Sequence, residues 1–449
     1  MENKSGKMKS FDLTLMAVGA IIGAGVFSMT GIAVGVAGPG VPITFLIAGL
    51  VALLVCVPHM VVSSAIPAKG GRYLYVSRFL APVLGFMLIL NLILEVINIS
   101  VLGLAAGQYL PTIIPGLSPK MAGAIMVIVI CVACLFNIQI SAKVQNIMVI
   151  MVLIALGLFV ILGIPHIKHF SFTGMFTVTG FSGIIMGVSY VRSAAYGAVG
   201  VVNMAGEVEN PEKAVPSSML RATIGVSVLY AVVGLVAVGV VPWKEMIQQP
   251  LAYAAKTFMP SWIFGFFVVG GAVFAILTTL VAMFVDYSRA IWAAADDGIF
   301  PAWLKKTNRY GIPYRIIILM GIIGLIPILL DLPLTFVFAM MNAPGMLVGL
   351  LETVPVLIAP KKLPKKFDNA WFKLPRGVVW FCVLTNFVLT CFFSYTLFTT
   401  LNLPTILGIV AFYGGGILYY YARIKYLKKT KGIDLEKEMS EYEESWVEK

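Results

Sequence analysis

The chain has 449 residues, of which 60% are apolar and 12% charged, and its mean hydropathy is +0.97. A water-facing surface needs about a quarter of its residues charged, so a soluble globular protein is excluded and lipid must be the solvent. The net charge of +12 would suit nucleic acid, unless the basic residues sort to one side of a membrane.

Residues 1–10 are polar and basic, and the apolar run after them is too long for the core of a cleavable signal. Spanning a ~30 Å hydrocarbon layer takes ~20 apolar residues in a helix. Twelve segments qualify. Span 1 (11–36) contains Gly19-Ala20-Ile21-Ile22-Gly23-Ala24-Gly25-Val26-Phe27. Span 2 (41–66) precedes a loop with Lys69 and Arg72. Span 3 (77–107) carries Glu95. Spans 4 (121–138) and 5 (141–164) are nearly uniformly apolar. Span 6 (179–204) contains Arg192 and then Ala194-Ala195-Tyr196-Gly197-Ala198-Val199-Gly200. Spans 7 (216–241) and 8 (262–287) follow, the latter with Thr278-Thr279. Spans 9 (313–331), 10 (333–359, with Glu352), 11 (377–400) and 12 (402–422) complete the set. Residues 423–449 form a charged tail, expected to be a frayed amphipathic end. The runs must be helical, because backbone polar groups find no water in lipid. The alternating ten-residue segments of a membrane β-barrel do not occur.

Twelve spans put both termini on one side. With the N-terminus cytoplasmic, 27 of the 32 Lys and Arg lie in cytoplasmic segments and 4 in external ones, Lys120, Lys168, Lys244 and Lys256. That asymmetry orients the chain and assigns the basic excess to the anionic inner leaflet, which leaves nucleic acid without support. The five cysteines sit in apolar stretches, and Cys131-Val-Ala-Cys134 reads as membrane filler. His59, His166 and His169 do not converge in sequence with cysteines or carboxylates, so no metal site is expected.

Many transporters place their site where two helices are interrupted at matching positions of two inverted repeats. The small-residue runs of spans 1 and 6 are such a pair. Spans 1–5 (11–164) and 6–10 (179–359) would be the repeats, oppositely oriented because each has an odd number of spans. Spans 11 and 12 (377–422) would be added. A half-helix N-terminus offers bare N–H groups and partial positive charge to a carboxylate, and freed carbonyls suit an ammonium group. An α-amino acid carries both. The bland alternative is close helix packing through Gly19-xxx-Gly23; the second interrupted helix favours a site.

Four further stretches carry a resemblance. The Gly23–Phe27 core of span 1 matches a G-x-G-[IV]-F pattern. Pro67-Ala68-Lys69-Gly70-Gly71-Arg72-Tyr73-Leu74-Tyr75 is similar to P-x-x-G-G-x-Y-x-Y. Glu207-Val208-Glu209-Asn210-Pro211 is similar to E-[VI]-x-N-P. Arg289 with Asp297-Gly298-Ile299-Phe300-Pro301 is similar to R…DG-x-x-P. In this order they resemble the amino acid–polyamine–organocation (APC) superfamily of permeases. The resemblance implies an all-α integral membrane protein with a LeuT-like 5+5 inverted repeat plus two C-terminal helices, working by alternating access. It implies a substrate carboxylate at the backbone of Gly23, Ala24 and Gly25. The amino group would meet carbonyls of Ile21 or Ile22 and of Ala194 or Ala195, beside a pocket walled by Tyr196 and Gly197. The sequence departs from the family where an acid often stands near Val61. It also lacks the lysine that some proton-coupled members place near Val152.

An ionisable residue within a span is costly and a functional candidate by default. Glu95 resembles a glutamate of cationic amino acid members, and it is expected to pair with Arg192 in one state. Thr278 and Thr279 fall where sodium-coupled relatives place hydroxyl ligands, although membrane hydroxyls more often bond the preceding turn. No cofactor is expected; a proton is expected ahead of sodium as the coupling ion. An enzyme would need a nucleophile–base pair or a metal cluster, and a channel would need rings of pore-lining groups; neither is visible. Expected partners are an amino acid substrate and membrane lipids, in the cell membrane with both termini cytoplasmic. An exchanger without ion coupling and a transporter-like nutrient sensor remain open, as do the substrate side chain and the oligomeric state.

Overall fold

The computed structural model describes residues 7–440 except 108, 110–115, 137, 170, 172–173, 175, 177, 331, 333 and 400. The side chains of 24, 28, 138–142, 189–190, 192–196, 334–336, 338–339, 396 and 440 lie outside the description too. The described residues are helical, with isolated bridges only between Met8 and Val208 and between Lys69 and Met204.

Nine runs among the described residues are long and apolar enough to cross a membrane, and Pro119–Ala133 and Tyr314–Leu329 are shorter apolar helices. Nine is fewer than the twelve expected because the helices in the segments of spans 4, 6 and 9, Pro119–Ala133, Gly180–Ala195 and Tyr314–Leu330, have only 15, 16 and 17 residues. The run Met29–Ala65 has 37 residues, about 55 Å of helix at 1.5 Å per residue, well beyond the ~30 Å core. It contains the Gly38–Gly40 turn, where Gly38 adopts φ 55. In span 6, Gly180–Ala195 gives only 16 residues before the winding tightens into Tyr196–Asn203.

Prolines begin several helices, where no N–H is missed: Val41–Ala65, Pro82–Glu95, Pro119–Ala133 and Pro211–Val240. The two interrupted spans cross in a reciprocal way. The first half of span 1, Ser10–Ile21, packs on the second part of span 6, Tyr196–Asn203; the second half, Ala24–Ala37, packs on Gly180–Ala195. Span 2 lies along span 7. Span 8 is built from Ser261–Phe266, a wide π-type stretch Phe267–Val273, and Phe274–Asp296.

Span 12 corrects one expectation. Its helix runs to Lys431 rather than ending near 422, with Lys428, Lys429 and Lys431 in the last turn and Gly432 left-handed at the cap. Cations there suit the helix's negative end. The described part of the tail, up to residue 440, is ordered as well. Helix Leu435–Ser440 packs on Gly71–Phe79, burying Leu435 and Met439.

Candidate functional site

Glycine stops the first half of span 1. Ile22 (φ −81, ψ 80) and Gly23 (φ −111, ψ −145) leave helical geometry, and Ala24–Ala37 starts afresh with no side-chain cap. Its first N–H groups are the orphans that every helix start leaves. The freed carbonyls are partly used. Ile21 O accepts from Tyr230 of span 7 at 3.0 Å and from the Gly23 N–H at 3.0 Å. Gly19 O accepts from Thr278 at 3.2 Å and Thr279 at 3.1 Å. Both hydroxyls also reach Ala275 O, and Thr278 comes within 3.5 Å of Ile22 O. These two threonines therefore fasten span 8 to the break.

Gly197 enters the same crossing. A Cβ at this position would strike the Ala20 carbonyl, so only glycine allows span 6 to touch span 1 main chain to main chain. The side chains of Arg192, Ala194, Ala195 and Tyr196 lie outside the described residues.

A cavity of about 310 Å³ opens at this crossing. Ile21, Gly23, Gly25, Gly197, Thr279 and Glu95 line it; Ile22 and Thr278 are buried behind it. Six methionines also line it: Met16 and Met29 flank the break, Met204 ends span 6, Met283 comes from span 8, and Met341 and Met346 come from span 10. Only 22 of 449 residues are methionine, so the wall is enriched in flexible thioethers. Glu95 accepts from Asn91 Nδ2 at 2.8 Å and from the Tyr287 hydroxyl at 2.8 Å. Asn91 in turn accepts from Tyr413 of span 12 at 2.8 Å. The expected Glu95–Arg192 pair falls partly outside the described residues; among those described, Glu95 accepts from the two neutral donors Asn91 and Tyr287.

One end of the cavity holds a charge cluster that sequence reasoning missed. Arg72 donates from Nε and Nη2 to the two oxygens of Glu352, at 2.7 and 2.6 Å, and from Nη1 to Asp286 at 3.1 Å. Asn203 of span 6 joins both sides: its Nδ2 donates to Asp286 and its Oδ1 accepts the Arg72 backbone N–H at 2.9 Å. His59 closes on Glu352 at 3.2 Å, so a histidine and a carboxylate do converge, across 293 residues of sequence. A second cluster lies just past the end of span 6 and at the last turns of span 8, where Glu207 meets Arg289 at 3.3 Å and Lys69 at 3.6 Å. Burial pushes the Glu207 carboxyl up, but the two cations outweigh it and hold it below the usual carboxylate range. Met8 and the Glu207–Glu209 backbone exchange two N–H···O bonds of 2.9 Å, which ties the start of span 1 to the end of span 6.

A family model described as amino acid permease matches residues 9–414. The Methylthioribose transporter of Bacillus subtilis (strain 168) is 30% identical over 339 residues, 71% of this chain and 73% of the relative. The Branched-chain amino acid permease BcaP of the same organism is 27% identical over 384 residues, 80% and 82% of the two chains. Cationic amino acid transporter 4 of Mus musculus is 28% identical over 359 residues, 72% of this chain and 55% of that one.

Proposed function

The chain belongs to the amino acid permease family, a family within the APC superfamily, and from that premise we propose that it carries amino acids across the cell membrane by alternating access. The observation that carries the reading is the crossing of spans 1 and 6: an uncapped helix start at Ala24, partly freed carbonyls and a main-chain contact at Gly197, all at one cavity. The substrate carboxylate would take the N–H groups around Gly23, Ala24 and Gly25. Its ammonium group would take the Ile22 carbonyl and those of Ala194 or Ala195; Ile21 O already accepts from Tyr230. The reciprocal packing of spans 1 and 6, and of span 2 on span 7, supports twelve spans with two inverted five-span repeats. The 27-to-4 split of basic residues supports cytoplasmic termini.

The methionine wall favours uncharged, flexible substrate side chains of differing length, because thioethers repack at little cost. Glu95 favours a second reading, a cationic substrate. The relatives' names span methylthioribose, branched-chain and cationic amino acids, so each of these belongs on the test panel. A proton is proposed ahead of sodium as the driving ion. The test is uptake into proteoliposomes from that panel, under proton and sodium gradients in turn. Accumulation of an amino acid supports the reading. Binding without uptake or exchange would make the chain a sensor, and gradient-independent exchange alone would make it an exchanger.

A further inference from the structure

His59 and Glu352 meet inside the bundle, their side chains each only 1% exposed. The two ring nitrogens have different partners. Nδ1 lies 3.0 Å from the carbonyl oxygen of Val55, one turn back on span 2. A carbonyl oxygen only accepts, so Nδ1 carries a hydrogen. Nε2 lies 3.2 Å from Glu352 Oε2. In a neutral ring with its hydrogen on Nδ1, Nε2 is an acceptor, and it would face a carboxylate oxygen that is also an acceptor. Two acceptors make no hydrogen bond. The contact is satisfied by one more proton, on Nε2 or on Glu352, and that proton belongs to the pair rather than to either residue.

Charge balance leads to the same proton. The groups facing the pair are Arg72 on the short helix Gly71–Phe79, Asp286 on span 8 and Asn203 on span 6, with Glu95 of span 3 further along the cavity wall. Arg72 contributes one positive charge against two negative charges from Glu352 and Asp286. The shared proton makes this cluster neutral. Among the described residues of this cluster, the charge left without it is a full negative one, which is costly to hold in so buried a place.

We propose that the proton shared by His59 and Glu352 is the coupling ion of transport. The proposal rests on the permease reading above and names its proton site. Glu352 and Asp286 line the cavity, so water in the cavity can deliver the proton: a hydronium gives it to the pair and becomes water. The loaded cluster is neutral, and Asn203 holds Arg72 against span 6. When the opposite side opens, water takes the proton back. The remaining negative charge is tolerated only in the open, hydrated state, which ties proton release to opening. This site needs no lysine near Val152.

The test compares two activities in the same proteoliposomes: accumulation driven by an imposed pH gradient, and exchange of labelled for unlabelled substrate. In His59→Gln the gradient-driven accumulation should be lost while exchange is still measurable. If His59→Gln still accumulates substrate on a pH gradient, the proposal is overturned. If the variant shows no exchange, nitrogen-15 NMR of histidine-labelled wild-type protein decides. A ring protonated on both nitrogens, or bonded at Nε2 to a protonated Glu352, with the proton lost at alkaline pH, supports the site. A neutral ring beside an ionised Glu352 wherever uptake is gradient-driven overturns it. Should wild-type vesicles neither accumulate nor exchange any amino acid, the permease reading falls and the coupling role with it, even if the ring holds its proton.

Discussion

Gly197→Ala puts one methyl group between the two interrupted spans. A Cβ at this position lies 2.5 Å from Ala20 C and 2.9 Å from Ile21 N, whereas ordinary contact begins at 3.4 Å. The obstructing atoms are main chain, so no side chain can swing aside. The Ala20 carbonyl oxygen lies closer still, so spans 1 and 6 must part locally by at least about 0.9 Å, the difference between 3.4 and 2.5 Å. Overpacking of this kind costs about 1–3 kcal/mol, a loss of only a few degrees in Tm for a protein of this size. The effect on transport should be larger. A displacement near 1 Å in a positioned site can cost about 10²-fold in rate, and here it moves the groups proposed to hold the substrate backbone. The expected variant is folded, slightly less thermostable in detergent, and about 10²-fold slower in uptake per molecule. Uptake within about twofold of wild type, well inside that expected loss, would refute the placement of the substrate at this crossing.

Three further outcomes are expected. Arg72→Met leaves Glu352 and Asp286 without their guanidinium, so it should destabilise the protein by about 3–5 kcal/mol in detergent unfolding; Arg72→Lys should recover only part, because an ammonium cannot grip Glu352 from two nitrogens. Tyr413→Phe removes the hydroxyl on Asn91, worth about 1 kcal/mol; it should raise the KM of uptake several-fold with expression unchanged, although Tyr413 is on span 12. Glu207→Gln tests the outer cluster by pH. A carboxyl held low when folded stabilises above its unfolded value and loses that contribution as pH falls through the folded value. Wild-type Tm should therefore drop on acidification below the ordinary 4.5, and Glu207→Gln should flatten that part of the curve.

Much of the architecture was legible because lipid leaves a helix few choices. Apolar length marked the spans, and the glycines of span 1 marked a real interruption. In span 6 the small-residue run coincides with the change from α-helix to the tighter winding of Tyr196–Asn203. The charge cluster was hidden for two reasons. Arg72 sits in a loop between spans and was counted with the cytoplasmic cations, yet the short helix Gly71–Phe79 folds it inward until only 6% of its side chain is exposed. Asp286 lies inside span 8 and satisfied the rule that singled out Glu95; its place near the span's end obscured it. His59 met Glu352 only through tertiary folding, which no local spacing encodes. The link from Tyr413 through Asn91 to Glu95 joins residues 322 apart and was equally invisible.

The wide turn at Phe267–Val273 has a consequence for how this chain tolerates insertion and deletion. A π-type turn is equivalent to one extra residue wound into an α-helix. Removing one residue around Gly270-Gly271 would let the turn relax into regular helix and leave the side chains beyond it facing as they do now, because the wide turn had absorbed the extra residue. Thr279, Met283, Asp286 and Tyr287 all lie beyond it and all line the cavity. A single codon lost there would keep that face on the cavity, whereas one lost between Phe274 and Thr278, in regular helix with no wide turn to absorb it, would rotate the same face by about 100° toward other neighbours.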